Sequence, residues 1–206
     1  MKSGLFITLE GGEGAGKSTL AASLAGALRA RGREVVQTRE PGGSPGADEI
    51  RALLLRGDTR RWTAVEEALL YSTARSNHLN HLVRPALARG AVVVCDRYYD
   101  STRAYQIAAG GLNPHVLTTL NQLIEAPTPD VTLILDLDPS AGLGRGQGAQ
   151  SGEDRFERKG ADYHARVRAA FHEIAKAEPQ RCVLINAAQT PEVVLNAALS
   201  AVQKWL

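Results

Sequence analysis

Gly4-Leu5-Phe6-Ile7-Thr8-Leu9-Glu10-Gly11-Gly12-Glu13-Gly14-Ala15-Gly16-Lys17-Ser18-Thr19 is an apolar run that opens into a glycine-rich turn and ends on a lysine and two hydroxyls. Its core, Gly11-x-x-x-x-Gly16-Lys17-Ser18, is a P-loop in the setting the motif requires, with a strand predicted before it and a helix after it. A phosphate chain must be wrapped by bare backbone. Without a Cβ, the loop can take positive φ and bring its N–H groups against phosphate oxygens. The helix that follows aims its N-terminus at the same anion. Lys17 is the expected partner of the β- and γ-phosphates, and Ser18 of Mg²⁺. Only five of the 24 basic residues are lysines, so a lysine at this spot stands out from an arginine background.

Outward from this loop, short apolar runs alternate with longer helical patterns, which predicts an α/β fold. Strands are predicted at Leu5–Glu10, Glu34–Arg39, Ala91–Asp96, Val131–Asp136 and Arg181–Asn186. The middle ones are apolar without alternation, as when both faces of a sheet are covered. Leu20, Leu24 and Leu28 share one face of the first helix, which closes at Arg29, Arg31 and Gly32. Asn113-Pro114 and Thr190-Pro191-Glu192 read as helix starts. A long helical stretch runs from about Val65 to Arg89, bent or split by Pro85.

The chain of 206 residues suits a single domain spanning residues 1–206. A net charge of +2 with scattered basic residues shows no basic stripe, so no nucleic-acid partner is expected. The longest apolar runs, such as Val131–Leu135, are too short to span a bilayer and no signal segment is visible, so no membrane partner is expected and the cytoplasm is the expected compartment. Cys95 and Cys182 sit in apolar strand runs and read as small core residues of a reducing cell. His78 and His81 lack a third metal ligand and read as members of a polar helix face. Residues 142–152, rich in glycine with little to bury, fit a disordered loop or an active-site lid; beside a phosphate site the lid is preferred, over about 140–158.

Ala91-Val92-Val93-Val94-Cys95-Asp96 is an apolar strand ending in Asp, the form that helps hold the Mg²⁺ shell in nucleotide-binding folds. Leu133-Ile134-Leu135-Asp136 has the same form. Arg97 beside Asp96 favours the first. The run Asp96-Arg97-Tyr98-Tyr99-Asp100-Ser101-Thr102-Arg103-Ala104-Tyr105-Gln106, with Thr38-Arg39-Glu40-Pro41-Gly42-Gly43 and the P-loop, resembles the bacterial thymidylate kinase family. The resemblance runs from Leu5 to the C-terminal helix.

The resemblance implies a five-stranded parallel sheet in the nucleoside-monophosphate-kinase arrangement with a mobile lid, a homodimer, and Mg²⁺-dependent transfer of the ATP γ-phosphate to dTMP in dTDP biosynthesis. It places the ATP phosphates on Gly11, Gly12, Glu13, Gly14, Ala15, Gly16, Lys17, Ser18 and Thr19, with Gln189 in the loop against adenine. Mg²⁺ falls to Ser18 and Asp96. Arg97 matches the arginine that grips the acceptor phosphate, with Arg39, Pro41 and Arg51 beside it. Arg75 matches a donor to the thymine O4, and Tyr71 the aromatic that stacks on the base. Thr102 and Gln106 match contacts to the pyrimidine edge, Tyr105 a tyrosine against the sugar 2′ position, and Glu13 an acid near the 3′-OH. Arg145 and Arg155 are the candidates for closing over ATP, with Arg158 third. Catalysis is then expected from Lys17, Arg97, Arg145 and Arg155.

The chemistry agrees with arginine-rich machinery. A monophosphate is already an ionised nucleophile, so charge compensation and positioning, rather than a strong base, lower the barrier. Two other readings remain open at this level. One is a P-loop kinase for another acceptor. The other is a non-catalytic nucleotide switch, although the chain has no Asn-Lys-x-Asp guanine motif.

Overall fold

The structure, a computed structural model, describes residues 4–143 and 152–205. Five parallel strands, β1 (Leu5–Gly11), β2 (Val35–Arg39), β3 (Val92–Asp96), β4 (Val131–Asp136) and β5 (Cys182–Asn186), form one sheet in the order β2-β3-β1-β4-β5. The chain leaves β1 toward β2 and β3 on one side, and β4 and β5 build on the other. The crevice at the C-terminal ends therefore opens beside β1, where ligands settle in open α/β sheets.

Burial follows strand position. β1 is buried along its whole length and Val92–Cys95 of β3 are fully covered, whereas the edge strands β2 and β5 are only partly buried. Along β1 the faces separate with period two. Leu5, Ile7 and Leu9 join α1 (Lys17–Ala30), whose Leu20, Leu24 and Leu28 are buried as their spacing predicts. Phe6 faces the opposite way, against Leu79, Val83, Val93 and Tyr98. Thr8 and Glu10 follow Phe6 on that second face, and both are fully buried. Cys95 and Cys182 are buried free thiols, as expected of core residues.

The helices that cover the sheet begin with readable signals. Asn113 accepts from the His115 N–H at the start of α6 (Pro114–Leu123), and Thr190 from the Val193 N–H at the start of the C-terminal helix Pro191–Val202, α9 below. The long helical stretch begins one residue early, at α3 (Ala64–His78), because Thr63 and Glu66 form a reciprocal capping box. It is split by a π-helical turn, Leu79–Val83, before α4 (Arg84–Ala88). Pro85 has no N–H to donate, and the ladder widens so that Arg84 N–H reaches Leu79 O.

Four of the described α-helices had no counterpart in the sequence reading. α2 (Pro45–Leu55) follows the Glu40-Pro41-Gly42-Gly43 turn. The short α5 (Tyr99–Thr102) runs into a second π-helical turn, Arg103–Ala108. The short α7 (Pro139–Leu143) precedes α8 (Ala161–Ala177), which buries Tyr163, Val167, Phe171 and Ile174 on one face. That last spacing is a legible helical stripe. Among the described residues no helix is long and apolar enough to cross a membrane.

Gly11 is where the sheet becomes a phosphate loop. Its φ is 133° and a Cβ there would run into the carbonyl of Leu135 on the neighbouring strand. Gly11→Ala is expected to destabilise the fold by about 1–3 kcal/mol, because both the dihedral and the space exclude a side chain. Chemical denaturation checks this; an unchanged midpoint would mean that the β1–β4 contact yields freely.

Candidate active site

β1, β3 and α1 bring the predicted phosphate machinery to one place. Gly16 caps α1 in the left-handed region, φ 88°, and the loop before it presents its backbone to the crevice. Lys17 is buried, and its Nζ donates to Gly11 O at 3.2 Å and Gly12 O at 2.7 Å. Ser18 Oγ donates to Asp96 Oδ2 at 2.6 Å. That contact separates the two strand-end aspartates, since Asp136 is instead held by Arg168 and His172.

Arg97 follows Asp96 with φ 68°, a value rare outside glycine. The turn is held by its N–H on Leu9 O at 2.8 Å and by Glu10 beneath it. Glu10 accepts from the Tyr98 N–H at 2.8 Å and from Ser101 Oγ at 2.6 Å. Burial, followed by the nearby Asp100 carboxylate, pushes the Glu10 carboxyl up to about 8. The Arg97 guanidinium meets Gly11 O at 2.9 Å, Glu13 Oε1 at 3.0 Å and the face of the Tyr105 ring at 5.1 Å. Tyr105 Oη also donates to Glu13 Oε1 at 2.9 Å. Burial works to raise the Glu13 carboxyl, but Arg97 and Lys17 outweigh it and hold it down at about 2.

A second group of side chains closes the far end. Arg75 is buried, with Nε on Glu40 Oε2 at 2.8 Å and Nη2 on Thr102 Oγ1 at 3.4 Å, while Nη1 is buried without a partner. Glu40 is shared with His78 at 3.0 Å, and His78 in turn meets Thr38 at 2.8 Å. His78 therefore does not sit on a polar face as expected; it is fully buried and braces Glu40. Among the described residues no three His, Cys, Asp or Glu gather as metal ligands. Tyr71 lies opposite Phe156, centroids 6.3 Å apart, and Phe156 also meets Tyr105 edge-on at 5.9 Å.

One open cleft of about 830 Å³ connects these parts. It is lined by residues 13–19 of the loop and helix, by Arg39, Pro41, Arg51 and Arg97, and by Tyr71, Arg75, Thr102, Tyr105 and Gln106, with Gln189 at the far rim. Arg51 is pinned by Glu153, at 2.8 and 3.0 Å, and by the Pro41 carbonyl at 2.8 Å. Arg39 is half-exposed and pairs loosely with Asp48 at 3.4 Å.

The expected arginine set after residue 140 divides. Arg145 lies outside the described residues, as do residues 144–151 of the lid segment. Arg155 does not line the cleft, contrary to its expected catalytic place. It is fully buried, donating to Glu67 Oε1 at 2.6 Å and to the carbonyls of Leu54, Asp58 and Thr59. A guanidinium buried this deeply and engaged through all three of its nitrogens is not placed to swing over a nucleotide. Arg158 is likewise tied down, to Asp154 and the Gly57 carbonyl.

Sequence reasoning missed Phe156, Glu10, Glu40 and Glu67. Glu10 was the most readable, a lone carboxylate inside an apolar strand. Glu67 carries no local signal, because its partners lie 39 and 88 residues away.

A family model described as thymidylate kinase matches residues 9–198. The chain belongs to the thymidylate kinase family. The thymidylate kinase of Caulobacter vibrioides is 51% identical over 98% of this chain and 97% of its own length. That of Gluconobacter oxydans is 50% identical, over 98% and 96%. The crystal structure of thymidylate kinase from Ehrlichia chaffeensis matches with a TM-score of 0.81 at 30% identity, covering 98% of this chain and all of that one. The five-stranded parallel sheet expected from the sequence is thus the fold of the family.

In this family setting the buried lysine gives a measurable handle. Burial, then the like charge of Arg97, lowers Lys17 to about 8. A triphosphate bound beside it stabilises the charged form and raises that value. Near pH 8.5 binding is therefore expected to take up protons, and affinity to fall as pH rises further. Calorimetry of a nucleoside triphosphate in buffers of different ionisation enthalpy reads the uptake. An enthalpy independent of buffer would show that Lys17 is already fully charged.

Proposed function

We propose that this chain is a thymidylate kinase that transfers the γ-phosphoryl group of ATP to dTMP, giving dTDP and ADP. The observation that carries the reading is the single cleft in which the P-loop, the Arg97 guanidinium and the Arg75 pocket all open. ATP lies with its phosphates on residues 11–19 and its adenine toward Gln189. The dTMP phosphate lies among Arg97, Arg51 and Arg39, near Pro41.

An oxygen of the dTMP phosphate attacks the γ-phosphorus in line. The bond from that phosphorus to the β,γ-bridging oxygen breaks, and its electron pair leaves on ADP. No general base is needed, because the attacking oxygen is already anionic. Lys17 and Arg97 compensate the charge that gathers between the two phosphate chains. Arginine suits the acceptor side because its planar fork binds phosphate in two places and stays charged. Arg145 is the lid cation of this reading; Arg155 is not.

Mg²⁺ fits the Ser18–Asp96 pair. Two hard oxygens 2.6 Å apart beside a phosphate loop suit a cation that takes its other ligands from phosphates and water. When bound, it neutralises charge on the nucleotide phosphates.

The base end follows from donors. The unpartnered Nη1 of Arg75 offers a hydrogen bond to a carbonyl such as thymine O4 and opposes the cytosine amino group. Tyr71 and Phe156 supply the aromatic walls. Tyr105, held on Glu13, is the residue this reading sets against the sugar 2′ position. The homodimer implied by the resemblance belongs to the same proposal. Leu53 of α2 and Val65 and Leu69 of α3 are each more than two-fifths exposed on two helices that pack together.

A coupled assay of ADP release with ATP and dTMP tests the reading. Lys17→Ala is expected to lower kcat by about 100-fold or more; near-normal turnover would remove Lys17 from the chemistry. Arg75→Gln is expected to erode the dTMP-over-dCMP preference by about tenfold while leaving the KM for ATP unchanged. A preference for thymidine over dTMP would overturn the phosphate-clasp assignment.

A further inference from the structure

Glu67 does not line the cleft, yet it touches a residue that does. It lies in the first turn of α3, is 1% exposed, and its two oxygens face different partners. Oε2 accepts from Gln106 Nε2 at 2.8 Å, and Oε1 accepts from Arg155 Nη2 at 2.6 Å, with Lys159 Nζ at 3.7 Å. Arg155 cannot drift, because Nε, Nη1 and Nη2 are also fixed on backbone carbonyls of the last turn of α2 and of the α2–α3 connection.

A carboxylate paired with a guanidinium is an acceptor only. The end of Gln106 turned toward it must therefore be the amide NH₂. The carbonyl oxygen of Gln106 then points the other way, and it takes no hydrogen bond from the described residues. A free glutamine amide has no such sense. Its two ends have nearly the same shape, and rotation exchanges a donor for an acceptor. A pocket built on an unclamped glutamine would accept either a ring N–H or a ring lone pair.

We propose that Glu67, clamped by Arg155, is a positioning residue that fixes the Gln106 amide with its carbonyl toward the base and so selects a pyrimidine carrying N–H at ring position 3. The proposal rests on the thymidylate kinase reading and deepens it. Thymine carries that N–H, whereas cytosine carries a lone pair there. Thr102, four residues before Gln106, accepts from Arg75, whose Nη1 is the unpartnered donor. The pocket thus presents an acceptor and a donor from two side chains, each held by a carboxylate behind it, Glu67 for Gln106 and Glu40 for Arg75. Arg155 acts two steps from the substrate, through Glu67.

The test compares kcat/KM for dTMP and for 5-methyl-dCMP, which share sugar, phosphate and methyl group and differ only at ring positions 3 and 4. In Glu67→Gln the new amide can donate or accept, and Gln106 is released to turn. The dTMP-to-5-methyl-dCMP ratio is expected to fall about tenfold, through a higher KM for dTMP, with the KM for ATP unchanged. Because Glu67→Gln leaves Arg155 buried without its carboxylate, the double variant Glu67→Gln/Arg155→Met, which removes both charges, is measured alongside and is expected to narrow the ratio equally. Equal losses on both substrates, with the wild-type ratio kept in the folded variants, would mean that Glu67 is only structural and would overturn the inference alone. A wild-type chain that fails to phosphorylate dTMP would overturn the proposed function, and this inference with it.

Discussion

Three guanidinium groups that line this cleft are each held on a carboxylate. Arg97 rests on Glu13, Arg51 on Glu153 and Arg75 on Glu40. The same device recurs behind the site in Arg155–Glu67 and Arg181–Asp100. Buried ion pairs of this kind are weak sources of net stability, since desolvation offsets much of the attraction. Their effect is orientation. An arginine carries many rotamers, and one pinned on a carboxylate has given up that freedom before any phosphate or base arrives. Under the proposed function, two anions that repel each other would be met by cations already in place.

The pinning depends on the sheet. Leu9 of β1 pairs with Asp96 of β3, so the strand that runs into the phosphate loop ends beside the strand that delivers Asp96 and Arg97. Cradle and clasp lie next to each other because their strands are neighbours, although 80 residues separate Lys17 from Arg97. The positive φ at Arg97 is the local cost of aiming its side chain back at Gly11 and Glu13. Glu10, buried under the turn and bonded to the Tyr98 N–H and the Ser101 hydroxyl, is the brace that holds it. Its raised carboxyl has a stated sign. Over the range between 4.5 and about 8 the folded chain binds the proton more tightly than the unfolded one, so this group favours folding less as pH rises.

The segment that follows residue 151 joins the two ends of the site. Glu153 reaches Arg51 on the phosphate side, Arg155 reaches Glu67 behind the base, and Phe156 forms one wall of the base pocket. Three residues within a run of four therefore tie this segment to Arg51, Glu67 and Tyr71 at once. Arginine in that position, on sequence grounds a candidate to cover ATP, proves to be the anchor of this segment.

Much of this was legible in the chain itself. The strand-turn-lysine pattern, the apolar runs and the Asp96–Gln106 segment determined the α/β class, the phosphate loop, the family and most of the residues that line the cleft, because each is a local pattern tied to local backbone geometry. Only the tertiary structure decided which aspartate meets Ser18, that His78 braces Glu40 rather than facing solvent, that Arg155 is buried, and that Glu67 stands behind Gln106. Those facts depend on which charged side chains find each other across tens of residues. A guanidinium looks the same in sequence whether a phosphate or a buried carboxylate waits for it, and only the packing around it says which.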